Sequence, residues 1–139
     1  MAKIVVKQVQ GATFAAKGES NHWVMMDTKE PVGGSEAASS PMEMVLFGLG
    51  GCTGVDVEVI LKKMKVTFEK FEIEIDAERA EVHPKVYTKI HLTYHFYGKD
   101  LPQKKLEKAV KLSKDSYCSV SAMLAHTAEI TASVENHQI

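Results

Sequence analysis

The stretch SPMEMVLFGLGGCTGVDVEVILKK, residues 40–63, decides the fold. It begins with a capping box, in which the Ser40 hydroxyl accepts from the Glu43 N–H and the Glu43 carboxylate reaches back, while Pro41 takes the first helical position. Beyond the box the side chains are apolar on nearly every side as far as Asp56. This pattern predicts a helix over residues 41–64 that must be covered on most sides.

Four glycines interrupt the helical pattern, at positions 48, 50, 51 and 54. Each costs about 1 kcal/mol relative to alanine in a helix, so their presence indicates the close backbone approach of another helix. One small sheet is too little to cover a helix that is apolar all round. We therefore expect an obligate homodimer formed through this helix.

The part of the chain before this helix predicts strands and a loop. Branched and aromatic runs at 4–9, 13–17 and 23–27 predict a three-stranded antiparallel meander. Residues 28–39 contain small residues and a Gly-Gly pair, which is typical of a loop long enough to be a mobile flap.

The second half of the chain predicts a hairpin, two helices and a closing strand. Apolar and acidic residues alternate over 71–78, and a second strand over 86–96 has Lys89, His91 and His95 on its outer face. Its predicted inner face consists of Val86, Thr88, Ile90, Leu92, Tyr94 and Phe96. Helices are predicted over 102–116 and 117–128, and a strand over 130–134. The order βββ-α-ββ-αα-β indicates an α+β fold in a single domain, residues 1–139.

Composition excludes several classes of protein. The 17 basic and 18 acidic residues give a net charge of -1, so no basic field favours nucleic acid or an anionic membrane. The N-terminus lacks the apolar core of a signal peptide, and we expect no membrane-spanning segment of about 18 apolar residues. These features predict a cytoplasmic protein, in which thiols stay reduced.

The two cysteines, Cys52 and Cys118, are the candidate reactive groups. They stand far apart in the sequence, so only the fold can bring them together. Two buried, inert thiols are the simpler interpretation, because free cysteine is among the most buried residue types. In favour of reactivity, Cys118 would lie near a helix N-terminus if Ser116 caps that helix, and N–H groups there stabilise a thiolate.

The motifs around these cysteines resemble a known family. Residues 40–43 (SPME), 49–53 (LGGCT), 56–57 (DV) and 117–121 (YCSVS) look like those of the OsmC/Ohr family of organic hydroperoxide reductases, in its YhfA-like branch. The resemblance covers essentially the whole chain. It implies an OsmC-like fold, in which antiparallel sheets wrap around a long central helix in an intertwined homodimer with active sites at the subunit interface.

The resemblance also implies a chemistry that needs no cofactor or metal. Cys52 would attack an alkyl hydroperoxide and become a sulfenic acid, Cys118 would condense with it to a disulfide, and a lipoyl-type dithiol would reduce that disulfide. Glu43 would be the catalytic carboxylate. An apolar substrate pocket would be drawn from Trp23, Met42, Met44, Phe47 and Met123, although ordinary core packing explains each of these side chains singly.

Two departures from the family pattern bear on the thiolate. The better-known branches carry an arginine in the N-terminal strands, but Arg79 is the only arginine of this chain. Glu43 stands one residue later than the family glutamate and also belongs to the capping box. Asp56 lies one helical turn from Cys52, where an unpaired carboxylate would disfavour the thiolate. Arg79 could neutralise Asp56 or reach the partner subunit's site, or it could pair with a neighbouring glutamate on the surface.

Alternatives to a peroxidase are a non-catalytic protein of this fold that binds a small apolar ligand or senses oxidants, and a Cys–His hydrolase. The hydrolase would need His22, His126 or His137 beside a thiol, and nothing in the sequence selects one of them. His91 and His95 are predicted to be exposed and too far apart, about 13 Å along a strand, to share a metal ion.

Overall fold

The computed structural model describes residues 1–139, which form two compact units, residues 1–47 and 48–139. The strands are β1 Val5–Gln10, β2 Thr13–Lys17, β3 Val24–Met26, β4 Lys70–Arg79, β5 Tyr87–Gly98 and β6 Glu129–Gln138, and the helices are α1 Pro41–Lys63, α2 Gln103–Leu112 and α3 Ser119–Leu124. A 3₁₀ turn, Glu30–Val32, precedes α1, and a π-helical turn, Ser113–Tyr117, joins α2 to α3. This order confirms the predicted α+β class and the sequence of elements. The assignment of the chain to a single domain stays a prediction.

The first unit contains the predicted antiparallel meander, in the order β1-β2-β3. Gly11 occupies the turn between β1 and β2 with φ +54, a left-handed conformation that favours glycine. The Gln8 side chain caps this turn by donating to the Gly11 carbonyl oxygen at 2.8 Å. All six residues of β1 are exposed within the subunit, including its valines.

The loop after β3 is organised by the carboxylate of Asp27, whose side chain is buried. Its two oxygens accept from the backbone N–H groups of Thr28, Ser35 and Ala37 at 2.7, 3.0 and 3.1 Å. An added Cβ at Gly34 would overlap the Thr28 carbonyl oxygen, so only glycine fits there. The carboxylate and the backbone hydrogen bonds of the loop, such as that from the Glu36 N–H to the Thr28 carbonyl oxygen, hold this segment in one conformation, and its expected role as a mobile flap stays a prediction.

The second unit is built on the mixed sheet β4-β5-β6. The predicted antiparallel hairpin of β4 and β5 is confirmed, and β6 pairs parallel to β5. Parallel pairing requires a crossover connection, and the two helices between β5 and β6 supply it. The predicted inner face of β5 is correct from Ile90 to Phe96. It is wrong at Val86 and Thr88, because a bulge between Glu78 and Arg79 shifts the register and Tyr87 is buried instead.

One face of α1 packs on this sheet. Its fully buried residues recur at every fourth position and are Leu49, Thr53, Val57 and Leu61. Gly50 and Gly54 lie beside them. A Cβ built on Gly50 would lie 3.2 Å from Ile75 Cδ1, and one built on Gly54 would lie 3.7 Å from Ile73 Cδ1. Gly50 therefore accommodates the close approach of β4, whereas the sheet leaves room for a Cβ at Gly54.

A second face of α1 is open within the subunit. A Cβ at Gly48 or Gly51 would meet no other atom within 4 Å. Val55 and Val59 continue this face along the helix and are 64% and 46% exposed. For these two glycines the expectation of a second approaching helix stays a prediction.

The helix α1 is also long and apolar enough to span a bilayer. The expectation that no segment reaches this length is therefore wrong. The core helix of a soluble protein meets the same criteria, and α1 packs its buried stripe against a sheet.

The segment between α2 and α3 is less regular than predicted. α2 ends at Leu112 and the π-helical turn follows, whereas the sequence predicted one helix over 102–116. α3 is a short helix, Ser119–Leu124, in place of the longer one predicted over 117–128. A π-helical turn inserts an extra residue and often marks a functional site.

We predict that the Asp27 carboxylate makes stability depend on pH. Its hydrogen bonds, above all that from Ser35, lower the pKa of Asp27 below its usual 3.8, with burial opposing them. Because the folded-state pKa is depressed, this contribution is complete above the unfolded pKa and is lost as pH falls through the folded one. Asp27→Asn should therefore lower the urea midpoint at pH 7, and the difference from wild type should shrink below about pH 4.

The matched control is Asp76→Asn, because the Asp76 side chain is exposed and makes no ion pair. This variant should unfold like wild type at both pH values. An equal difference between Asp27→Asn and wild type at pH 7 and pH 3 would contradict the role assigned to the carboxylate.

Candidate active site

The second unit brings the two thiols together. Cys52 lies on α1 and Cys118 lies just before α3, and both are free. Their sulfur atoms and a carboxylate oxygen of Asp56 all lie within 4.8 Å of one another. Cys118 is buried, at 3% exposure, whereas Cys52 is half-buried. The arrangement is one partly accessible thiol with a second, sheltered thiol beside it.

A chain of buried hydroxyl groups positions Asp56. The Ser113 Oγ donates to Asp56 Oδ2 at 3.0 Å, and it also lies 2.7 Å from Thr53 Oγ1. Thr53 Oγ1 is 2.8 Å from the Tyr94 hydroxyl. Each hydroxyl has a single proton, so donation from Ser113 to Asp56 makes Thr53 the donor to Ser113 and Tyr94 the donor to Thr53.

Burial keeps the Tyr94 hydroxyl, at the end of the hydroxyl chain opposite Asp56, protonated. It raises the pKa of Tyr94 to about 12, and the nearby Cys118 and Asp56 add to the effect. The phenol of Tyr94 therefore retains its proton at neutral pH and can donate to Thr53. The chain connects α1, β5 and the π-helical turn, and it fixes the Asp56 carboxylate beside the thiols.

Cys118 itself is the N-cap residue of α3. Its sulfur accepts from the Ser121 N–H at 3.4 Å, so the expectation that Ser116 caps this helix is wrong. The π-helical turn occupies the residues before Cys118 and moves the helix start to Ser119.

Burial has a larger effect on the pKa of the Cys118 thiol than the N–H groups at the helix N-terminus have. It raises the pKa of Cys118, and the neighbouring Cys52 also raises it, while hydrogen bonds from Ser121 act in the opposite direction. The N-terminal N–H groups that we expected to favour a thiolate at Cys118 therefore do not prevail. Cys118 keeps its proton at neutral pH.

An apolar cavity of about 440 Å³ adjoins this cluster through Asp56. Its walls come from α1, the end of α2 and the π-helical turn, and the lining residues are Asp56, Val59, Ile60, Lys63, Met64, Leu112 and Tyr117. A cavity of this size accommodates a small organic molecule.

The pocket predicted from sequence is a different set of residues. Trp23, Phe47 and Met123 are 50%, 54% and 64% exposed in the subunit. Trp23 lies between two ammonium groups, those of Lys7 and Lys17, at 5.6 and 5.0 Å from its ring centre. The predicted lining, which also includes Met42 and Met44, stays a prediction.

Arg79 does not reach the site. Its Nε donates to the Lys85 carbonyl oxygen at 2.8 Å, and its guanidinium lies 5.9 Å from the centre of the Tyr87 ring. The expectation that Arg79 neutralises Asp56 is wrong within the subunit, and so is its pairing with a neighbouring glutamate. The cause is the loop between β4 and β5, which places the Lys85 carbonyl oxygen beside the Arg79 side chain.

Glu43 forms the predicted capping box. Its Oε1 accepts from the Ser40 N–H at 3.2 Å and from the Ser40 Oγ at 3.0 Å, and the Glu43 N–H donates to Ser40 Oγ at 3.2 Å. These contacts confirm the helix start. A catalytic role for Glu43 stays a prediction.

The histidines on the sheet form separate groups away from the thiols. His91 contacts the hydroxyls of Thr131 and Ser133, whereas His95 lies 2.6 Å from a Glu74 oxygen and 3.0 Å from His137. His91 and His95 are half-buried rather than exposed, because the parallel strand β6 covers them. These contacts pair each histidine with side chains of its own sheet, and no imidazole contacts a cysteine.

The hydroxyl chain is the part of the site that sequence analysis missed. Thr53 stood as a lone polar residue on the apolar helix, and Ser113 continued the apolar stripe of α2. A polar residue in a buried stripe needs a hydrogen-bond partner, so both positions indicated a buried hydrogen bond. The identity of the partners could not be read, because 60 residues separate Thr53 from Ser113.

Comparison with known proteins shows the family of this chain. The OsmC-like protein family model matches residues 33–133. Protein YhfA of Escherichia coli K12 is 39% identical over 130 residues, which cover 94% of each chain. A crystal structure of a hypothetical protein from Aquifex aeolicus VF5 has a TM-score of 0.82 and 32% identity, and covers 99% of this chain and 98% of its own.

A more distant structure carries a functional name. It is an organic hydroperoxide resistance protein OsmC from Legionella pneumophila, with a TM-score of 0.73, 14% identity and coverage of 97% of this chain and 96% of its own. At that identity the likeness shows the fold alone. The family model, the level of identity to YhfA and the shared fold together place this chain in the OsmC-like protein family.

Proposed function

We propose that this protein is a thiol-dependent peroxidase that reduces organic hydroperoxides to alcohols. The observation that supports it best is the pair of free thiols, Cys52 and Cys118, whose sulfur atoms lie within 4.8 Å of each other although they are far apart in the sequence. A partly accessible thiol beside a buried one is the arrangement that a nucleophilic and a resolving cysteine require. Family membership, and the name of the Legionella relative, support the same chemistry.

Three steps account for the reaction. The Cys52 thiolate attacks the distal peroxide oxygen, the O–O bond breaks, and the alkoxide takes up a proton to leave as alcohol. The Cys118 thiol then attacks the Cys52 sulfenic acid, forming a disulfide and releasing water. A dithiol, of the lipoyl type, reduces this disulfide by exchange, returns both thiols and becomes a cyclic disulfide itself.

The cavity beside Asp56 offers a path for the substrate. Its walls are mainly aliphatic and aromatic, from residues such as Val59, Ile60 and Tyr117. An alkyl or aryl group gains from burial there, which hydrogen peroxide cannot do. The cavity therefore favours organic hydroperoxides over hydrogen peroxide.

The second candidate function is a non-catalytic oxidant sensor or carrier of a small apolar ligand. It is favoured by the absence of a cation at the thiols, since Asp56 accepts from Ser113 and pairs with no lysine or arginine. A carboxylate without a cation disfavours a thiolate nearby. Formation of the disulfide with one equivalent of hydroperoxide, followed by no further consumption when dihydrolipoamide is present, would identify the oxidant sensor.

We further propose a cytoplasmic homodimer formed through the open face of α1. Gly48, Gly51, Val55 and Val59 lie along that face, where a Cβ at either glycine would meet no other atom within 4 Å and the two valines are largely exposed. Exposed valines beside glycines with free space above them are what a second copy of the helix would bury. Reduced thiols, which the cytoplasm maintains, are needed for the cycle.

Replacing either cysteine should separate the two thiol roles. With dihydrolipoamide as reductant, Cys52→Ser should abolish consumption of cumene hydroperoxide, because the nucleophile is lost. Without added dithiol, Cys118→Ser should still react once per subunit and then stop, leaving a Cys52 sulfenic acid that mass spectrometry of the dimedone adduct detects. Consumption by Cys52→Ser at the wild-type rate would refute the peroxidase proposal.

Neutralising Asp56 should speed the first step. Asp56→Asn removes the charge that faces the Cys52 sulfur, so the second-order rate with cumene hydroperoxide at pH 7 should rise by roughly three- to tenfold. Glu58→Gln is the control, because Glu58 is exposed on the same helix and makes no ion pair. Rapid-quench measurement of thiol loss during a single turnover gives the rate, and a slower reaction of Asp56→Asn would contradict the argument.

A charge placed on the open face of α1 should break the dimer. Val55→Glu should yield particles of the 15.3 kDa subunit mass, because a carboxylate cannot be buried between two apolar helices. Val82→Glu is the matched control, since Val82 is similarly exposed, at 74%, but lies in the loop between β4 and β5. Light scattering at micromolar concentration measures both, and a wild-type mass equal to that of a single subunit would rule out the dimer.

A further inference from the structure

The cluster at the thiols holds three potential metal ligands. Cys52 Sγ, Cys118 Sγ and a carboxylate oxygen of Asp56 lie within 4.8 Å of one another, and these residues come from α1 and from the start of α3. Their spacing in the sequence does not indicate a metal motif, because Asp56 and Cys118 are separated by the whole sheet hairpin and α2. The peroxidase steps require only the thiols and use no metal.

We propose that the reduced protein binds one thiophilic divalent cation, of which Zn²⁺ is the prototype, through Cys52, Asp56 and Cys118. Two thiolates and a carboxylate are ligands that Zn²⁺ accepts in proteins, and thiolate sulfur selects it over Mg²⁺ and Ca²⁺. Three protein ligands leave the fourth tetrahedral position open to water or an exogenous ligand.

The distances fit this coordination. With Zn–S bonds of about 2.3 Å and a Zn–O bond of about 2.0 Å, tetrahedral ligand atoms lie roughly 3.5 to 3.8 Å apart. The present separations of no more than 4.8 Å reach those values through small side-chain rotations. Cys52 and Asp56 are four residues apart on α1 and so share one face of the helix.

The surroundings of Asp56 are those of an oriented ligand. Ser113 donates to Oδ2 of Asp56, and Thr53 and Tyr94 continue the hydrogen-bonded chain behind it. Metal ligands in proteins are commonly held by such outer hydrogen bonds. Ser113 and Thr53 are fully buried, so the chain also holds the carboxylate rigidly.

Charge supplies the driving force. No lysine or arginine pairs with Asp56, so a metal cation meets no competing side-chain cation at this carboxylate. Binding Zn²⁺ releases the two thiol protons, and the resulting two thiolates and one carboxylate surround a dication. The metal thus supplies the positive charge that the chain itself does not bring to the thiols.

Metal binding and peroxide reduction would exclude each other. In the loaded site both sulfurs carry metal bonds, so Cys52 is shielded from the substrate. Oxidation of the two thiolates to a disulfide transfers two electrons to the hydroperoxide, which takes up two protons to give alcohol and water, and Zn²⁺ leaves. The oxidant therefore reacts with the fraction of protein from which the metal has dissociated, and its consumption of free thiols draws the protein from the metal form to the metal-free disulfide form.

The test is titration of the reduced, chelator-treated full chain with Zn²⁺ by calorimetry and with Co²⁺ by absorption. We expect one ion per subunit and a thiolate-to-cobalt charge-transfer band in the near ultraviolet. Cys52→Ser and Cys118→Ser should each lose the band and weaken Zn²⁺ binding by more than about 100-fold, and Ser113→Ala should weaken it by roughly tenfold. Asp56→Asn should weaken binding while raising the peroxide rate.

The histidine cluster on the sheet provides the control. His95, His137 and Glu74 are the other neighbouring group of potential ligands, and His137→Ala removes it while the thiols stay intact. That variant should bind Zn²⁺ like wild type. Binding that survives in the Cys52→Ser, Cys118→Ser double variant, or that is lost in His137→Ala, would overturn the proposed site.

The metal and the peroxidase can fail separately. Peroxide consumption measured with a chelator present reports on the thiols without metal. Reduced wild-type protein that binds no Zn²⁺ yet consumes hydroperoxide through Cys52 would reject the metal site and leave the peroxidase. Stoichiometric Zn²⁺ binding by a protein that consumes no hydroperoxide would support the metal site and reject the peroxidase.

Discussion

The packing of α1 on the sheet is the contact around which the second unit is arranged. The buried stripe of α1 lies against the inner face of the sheet, and Gly50 leaves room for the Ile75 side chain of β4. The sheet covers that side of α1. The side that bears Cys52 and Asp56 contacts the π-helical turn and Cys118 instead. The thiols meet because three elements converge on one helix.

The convergence is stabilised by polar contacts as well as apolar ones. Thr53, Ser113 and Tyr94 are fully buried, and their hydroxyls would be costly without partners. Each finds one in the others, and the chain ends on Asp56, which still contacts the cavity. The same hydrogen bonds that stabilise the packing therefore decide which way a carboxylate faces at the reactive site.

The Asp56 carboxylate places a negative charge beside the two thiols. A thiol peroxidase benefits from positive charge near its nucleophile. Here the neighbour of Cys52 is negative, and burial raises the pKa of Cys118. Under the two proposals, a carboxylate beside Cys52 would slow attack on a hydroperoxide and would attract a metal cation, so the proposed peroxide chemistry and the proposed metal binding depend on Asp56 in opposite ways.

The sequence by itself determined the local features of the protein. The Ser40–Glu43 capping box, the length of α1, the meander and the alternating faces of β4 and β5 follow from hydrogen bonding and periodicity within a few residues. The motifs at the two cysteines also identified the family and marked both thiols. Only the tertiary structure decided the parallel pairing of β6, the burial of Tyr87, the contact of Arg79 with Lys85 and the meeting of Cys52, Asp56 and Cys118. These features depend on a bulge, on loop geometry and on contacts between distant parts of the chain, which no local pattern encodes, because their free energy comes from packing that exists only after the chain has closed on itself.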